Sequence, residues 1–196
     1  MRLSTVFLTA AAASLTLSVS AQKLKLESGS FAAAKAEKEF NIVYDYSDFN
    51  VGTGKRAKNE KDYVAEKVAE FNQKEAGRGD NWKESWLRDR EARFQPKFEE
   101  LMAKGGIKKN PGAKYTITIK TTMLEPGFSV PMVMTVPAGL NCNVILSEGG
   151  KELGVMSITG SPGNAFGGAA WDTGIRLQET YAKAGKELAK WIPKAK

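Results

Sequence analysis

The sequence predicts an α+β protein: one antiparallel sheet of about four to five strands, with two or three helices packed on one face. Three observations lead there. Several segments alternate apolar and polar residues, the period of a half-buried strand. Others repeat apolar residues at spacings of three and four, the period of an amphipathic helix. In the second half the strand-like segments follow one another through short turns, as in a meander, rather than alternating with helices.

The elements follow in order. Leu24–Leu26 is a short strand in a polar lead-in. Phe40, Ile42, Tyr44 and Tyr46 alternate with Asn41, Val43 and Asp45, and Gly52 and Gly54 end that strand. Asn59 is placed to cap a helix with Glu60 and Asp62 in its first turn, where carboxylates favour the helix dipole. Val64, Val68 and Phe71 form its apolar stripe, and Ala76-Gly77-Arg78-Gly79 stops it. A second helical stretch runs from about Asp80 to Lys104, with Pro96 set to kink or split it. Tyr115, Ile117, Ile119, Thr121 and Met123 mark the clearest strand, and Glu125-Pro126-Gly127 reads as a turn. Pro131 and Pro137 make the next apolar segment an edge strand or an extended loop. Leu140, Cys142, Val144 and Leu146 alternate again, and Glu148-Gly149-Gly150-Lys151 is a hairpin turn whose partner strand covers Leu153 to Thr159. After a glycine-rich loop at 160–174, Leu177, Tyr181, Ala184, Leu188 and Trp191 define a last amphipathic helix, with Gly185 allowing close packing on the sheet.

Length and composition bound the function. At 196 residues, 42% apolar and 26% charged, the chain is long enough for one core and too apolar for disorder. It contains no histidine and one cysteine, Cys142. That excludes Ser-His-Asp and Cys-His catalysis, histidine-ligated metals, an intrachain disulfide and multi-cysteine clusters.

The chain opens with Arg2 and then an uncharged run from Leu3 to Ala21. Val19-Ser20-Ala21 supplies the small residues a signal peptidase requires, so residues 1–21 read as a signal peptide cleaved at Ala21-Gln22. The mature part, residues 22–196, is expected to be a single domain with a helical insertion at about 59–105. No other stretch approaches the ~20 apolar residues of a membrane span. Export to the periplasm or exterior of a bacterium is expected, without a lipid anchor because no cysteine follows the run. Cleavage removes one Arg and no acid, leaving a net charge of +6.

The phrases NIVYDYSDFNVG, AGRGDNWKESW, FQPKFEELM, AKYTITIKTTMLEPGF and FGGAAWDTGIRLQETYAKAGKELAKWI resemble an uncharacterised family of exported proteins from Bacteroidetes, over about residues 23–192. That resemblance implies export and an α+β fold, and supplies no activity. More loosely, the element order and the last helix resemble envelope domains typified by the TolB amino-terminal domain and by curli-secretion lipoproteins. Those imply a non-catalytic role in envelope assemblies.

Four features are chemically suggestive. The loop at 160–174, with Gly163, Gly167, Gly168, Asp172 and Thr173, leads into a helix N-terminus and could present N–H groups to an anion. A connector built on glycine turns is the plainer reading. Asp45 and Asp48 cluster at a strand end, and Glu125 and Asp172 could join them for acid–base work or cation binding; strand-end turns and caps explain them as well. Trp82, Trp86, Arg88, Arg90, Arg93 and Phe94 interleave rings and cations, yet Trp82, Trp86, Phe94 and Phe98 recur at multiples of four, which favours a core-facing stripe. Cys142 alternates into the core. The expected function is therefore a non-catalytic binding or scaffolding component of the cell envelope, with an envelope protein or a surface glycan as partner. Nucleic acid is not expected, and no catalytic residue, cofactor or metal is assigned. The alternatives are a glycosidase-like hydrolase using carboxylates alone and an anion-binding protein using the 160–174 loop.

Overall fold

The computed structural model describes residues 22–130, 134–163 and 172–195. The predicted signal peptide, Gly167 and Gly168 lie outside the described residues.

The strands are β1 (Lys23–Gly29), β2 (Glu39–Asp45), β3 (Asn50–Val51), β4 (Lys58–Asn59), β5 (Lys108–Lys109), β6 (Tyr115–Glu125), β7 (Phe128–Val130), β8 (Met134–Val136), β9 (Gly139–Glu148) and β10 (Lys151–Pro162). The helices are α1 (Glu60–Lys74), α2 (Arg78–Asp89), α3 (Gln95–Lys104) and α4 (Thr173–Trp191). A π-helical turn at Arg90–Phe94 joins α2 to α3, so these two run on as one bent helix.

The α+β class is as expected, but the sheet is larger and mixed. It has eight strands in the order β1-β10-β9-β6-β2-β5, with β3 on the far end of β6 and β4 on β3. The meander β6-β9-β10-β1 is antiparallel, while β2 runs parallel to β6. The reason is the helical segment between them. A parallel pair needs a long crossover, and α1 to α3 provide one, so the chain re-enters beside β2 in the same direction. The proline-broken segment after Gly127 is neither an edge strand of this sheet nor an open loop. Its β7 and β8 pair with each other as a separate two-stranded sheet.

Local chemistry accounts for the elements. Asn59 Oδ1 accepts the Lys61 N–H and caps α1. Gly149 and Gly150 both have positive φ (55° and 82°), the backbone of a two-residue hairpin turn, and Glu148 pairs with Lys151 across it. Pro96 falls just after the π turn, where the Gln95 N–H bonds to the Arg90 carbonyl five residues back. The wide turn carries preceding carbonyls out of the way of the proline ring. In β6, Tyr115, Ile117, Ile119 and Thr121 face the core, but the register shifts between Thr121 and Met123. This bulge turns Leu124, not the expected Met123, into the core and buries Glu125 next to it.

The helices cover one face of the sheet. Leu177, Tyr181, Ala184 and Leu188 of α4 are buried, and the Tyr181 ring stacks on Phe94 at 5.1 Å while its hydroxyl shares a 2.8 Å hydrogen bond with Thr121 Oγ1. Gly185 does serve close packing, but against the Phe98 carbonyl of α3 rather than against the sheet. Among the described residues no helix is long and apolar enough to cross a membrane.

Candidate functional site

A cleft of about 540 Å³ opens between α1, the 51–58 segment and the turn at 125–128. The bulge in β6 and the left-handed Gly127 build its floor. Gly127 (φ +69°) packs so close to Ala138 N and Val136 O that a Cβ there would lie 2.7 and 2.8 Å from them. The tight turn directs the Gly127 N–H onto Glu125 Oε1 at 3.2 Å. Thr53 Oγ1 donates to Glu125 Oε2 at 3.1 Å, and Arg56 Nη2 lies 3.5 Å from the same oxygen. The Arg56 guanidinium in turn lies over the Phe128 ring, 5.0 Å from its centroid.

Across the cleft stands Tyr63 of α1, its ring against Trp86 at 5.5 Å and Trp82 at 6.1 Å. Burial, with the negative charges of Glu125 and Glu70 nearby, pushes its phenol up to about 12, so it stays a neutral donor. Its side chain lines the cleft. Lys55, Lys58 and Lys67 line the mouth. Lys58 pairs with Glu66, and Lys67 and Lys74 both reach Glu70 at 2.7 Å, while Lys55 makes no ion pair among the described residues.

A smaller pocket of about 280 Å³ lies where α2 meets the start of α4. Asp172 caps α4 by accepting the Ile175 N–H, and Arg93 Nη1 donates to both Asp172 oxygens at 2.8 and 2.7 Å. Arg93 Nε also sits 3.2 Å from Asp89 Oδ1. Partial burial works against ionisation of Asp172, but the bonds from Arg93 and the Ile175 N–H outweigh it and hold its pKa below the ordinary value. Asp89 is the reverse case: burial raises it despite Arg93. Arg176 stitches the two pockets together. It donates from Nε to Pro126 O at 3.0 Å and from Nη2 to Gly127 O at 3.2 Å and Thr173 Oγ1 at 3.0 Å.

The sequence-predicted residues are thus dispersed. Asp45 accepts the Ser47 N–H at 2.8 Å and lies 3.8 Å from Lys120 Nζ, and bonds from Ser47 keep its pKa low. Asp48 accepts from Asn59 Nδ2 at 3.4 Å. Glu125 lines the larger cleft and Asp172 the smaller, while Asp45 and Asp48 line neither. Among the described residues no three Asp, Glu, His or Cys side chains are grouped to hold a metal. Gly163 donates its N–H to Ala138 O and packs on the Arg176 carbonyl, where a Cβ would come within 2.5 Å. Thr173 spends its hydroxyl on Arg176. Trp86 and Phe94 are core residues, and Arg90 pairs with Glu60 while lying over the Tyr46 ring at 4.8 Å. Cys142 is buried, and burial pushes its thiol up to about 12.

Sequence reasoning missed Tyr63, Arg56 and Phe128. Tyr63 sits one position off the Val64–Val68–Phe71 stripe, and Phe128 reads as one more apolar residue in a proline-broken run. Only the fold brings them to one cleft.

No family model matches the chain, and no curated protein matches it. Among solved structures it is similar to the PelC dodecamer from Paraburkholderia phytofirmans, at 8% and 9% identity in two crystals, with TM-scores of 0.33 and 0.34, covering 83% of this chain and 96% of that one. It is also similar to a Xanthomonas campestris protein of family DUF330, at 10% identity and a TM-score of 0.35, covering 78% of this chain and 83% of that one.

Proposed function

We propose that this chain is an exported, non-catalytic binding protein of the bacterial cell envelope, and that its ligand is a glycan seated in the cleft between α1 and the 125–128 turn. Export is supported by the signal-like residues 1–21. The observation that carries the ligand class is the lining of the cleft: the Tyr63 phenol on one wall and the Glu125 carboxylate on the other share it with the Phe128 ring. Sugar recognition needs this combination, an aromatic surface for the C–H face and oriented polar groups for hydroxyls. A binding rather than hydrolytic role is supported by the engagement of the lining acids. Glu66, Glu70 and Glu125 each carry a cationic neighbour, and Glu125 has both oxygens bonded, which leaves no free carboxylate pair for acid–base work.

The test is calorimetric titration of the chain from Gln22 with neutral and acidic oligosaccharides. Tyr63→Phe is expected to weaken binding about tenfold, the worth of one buried hydrogen bond, while leaving the fold intact. Phe128→Ala should weaken it further. Binding that ignores both substitutions removes the cleft from consideration, and release of reducing sugar during the titration replaces this reading with the hydrolase one.

A further inference from the structure

We infer that the glycan taken by the cleft is acidic, and that Arg56 and Lys55 hold the carboxylate of a uronic acid residue at its mouth. This rests on the reading of the cleft as a glycan site and adds the sign of the ligand's charge.

The segment that carries both cations is anchored at each end. β3 and β4 close it, Val51 pairing with Lys58, and Gly52 donates its N–H to the Leu124 carbonyl at 2.8 Å, which ties the loop to the bulge of β6. Gly52 and Gly54 have positive φ (88° and 57°), and a Cβ on Gly52 would stand 2.9 Å from the Arg56 carbonyl. The tight 3-10 turn at Gly54–Arg56 that follows sets Lys55 and Arg56 together on the cleft.

The charges lining the cleft do not cancel. Four cations, Lys55, Arg56, Lys58 and Lys67, meet three acids, Glu66, Glu70 and Glu125. Lys58 is matched by Glu66, and Glu70 takes Lys67 together with Lys74. None of the three acids is paired with Lys55, which is exposed. Glu125 already has its two oxygens bonded by Thr53 and Gly127, so Arg56 touches it through one 3.5 Å contact from Nη2. A guanidinium carries five N–H donors, and a single contact of that length leaves most of them for a ligand. The Arg56 side chain is 52% exposed, so a ligand entering from solvent reaches them.

The geometry selects a carboxylate. The Phe128 ring under the guanidinium and Glu125 beside it fix where Arg56 sits, so little side-chain freedom is lost when it binds. Its planar fork matches the two oxygens of a carboxylate, and Lys55 adds a second charge close by. In a uronic acid the carboxylate projects from the edge of the pyranose ring. The C–H face then rests on an aromatic side chain while the charged edge meets Arg56, leaving the hydroxyls to Tyr63 and Glu125. The cleft, at about 540 Å³, has the size of a small-ligand site.

Calorimetric titration of the chain from Gln22 with an oligosaccharide of galacturonic acid, and with its neutral methyl ester, tests the inference. The acid form is expected to bind about tenfold tighter in roughly 50 mM salt, with the gap narrowing in roughly 500 mM. Arg56→Gln and Lys55→Gln should each cut that preference to about threefold or less. Lys55 does not support Glu125, so its variant keeps the test clear of any effect on folding. Equal affinity for acid and ester overturns the inference while the glycan reading stands. Failure of both to bind removes the glycan reading and this one with it. Polyglutamate binding as tightly as the acid form also overturns it, since charge alone would then suffice. So does a preference that survives both substitutions, which would place the anion elsewhere.

Discussion

Gly185 of α4 lies directly against the Phe98 carbonyl of α3: a Cβ at position 185 would stand 2.3 Å from that oxygen. In an isolated helix, Gly→Ala gains about 1 kcal/mol. Here the added methyl meets backbone, which cannot rotate aside, and overpacking of this kind costs about 1–3 kcal/mol. Gly185→Ala is therefore expected to destabilise the protein by about 1 kcal/mol, the overpacking cost less the helix gain. Urea titration checks it: the midpoint should fall with an unchanged slope. A rise would mean that α3 and α4 separate without loss.

Glu60 holds two donors at once. Its Oε1 accepts from Trp86 Nε1 at 2.6 Å and also pairs with Arg90, and both charged side chains are largely covered. Glu60→Ala removes the common acceptor and leaves an indole N–H and a guanidinium unpaired, so a loss of about 2–4 kcal/mol is expected. Glu60→Gln keeps an acceptor for one donor and should lose less. If thermal unfolding places the two variants level, the ionic partner contributes nothing.

Asp172 couples the start of α4 to Arg93, and its folded pKa is depressed below 3.8. A depressed carboxylate adds stability that is present well above its unfolded pKa and is lost as pH falls through the folded one. Asn caps a helix as well as Asp does, so Asp172→Asn removes the charge while keeping the cap. The variant should be less stable than the parent by about 0.5–1 kcal/mol at pH 7, since the pair is partly exposed. The deficit should close on the acid side of 3.8. Asp89 works in the opposite sense, because its raised pKa means that protonation on acidification is favoured by the fold. A deficit that does not change with pH would assign the role of Asp172 to capping alone.

The fold was legible where one residue type decides one local outcome. Asn59 before Glu60 and Asp62, Gly149-Gly150 between alternating strands, and Pro96 within a helical run each act through their own backbone chemistry. The alternations in β2, β6 and β9 likewise show which side chains enter the core. What could not be read was pairing at a distance. The parallel partnership of β2 with β6 depends on where a crossover of three helices returns the chain, and no local residue encodes that. The bulge after Thr121 is equally silent, since Met123 and Leu124 are both apolar; yet it buries Glu125. The cleft then draws Tyr63, Arg56 and Phe128 from three separate segments, none of which stands out alone.

Cys142 gives a direct readout of how firmly this assembly is closed. It sits on β9 between Thr121 of β6 and Ile158 of β10, and burial pushes its thiol up to about 12. A thiol reagent needs an accessible thiolate, so the folded protein should be inert at pH 8. Modification must then proceed through opening of the central strands, in an amount set by the stability of the sheet. When closing outpaces labelling, each 1.4 kcal/mol lost speeds modification tenfold. Gly185→Ala, at a loss of about 1 kcal/mol, should accelerate it about fivefold, although residue 185 lies on a helix remote in sequence from β9. Equal labelling rates in parent and variant would show that Cys142 is reached by a local opening that leaves the α3–α4 contact intact.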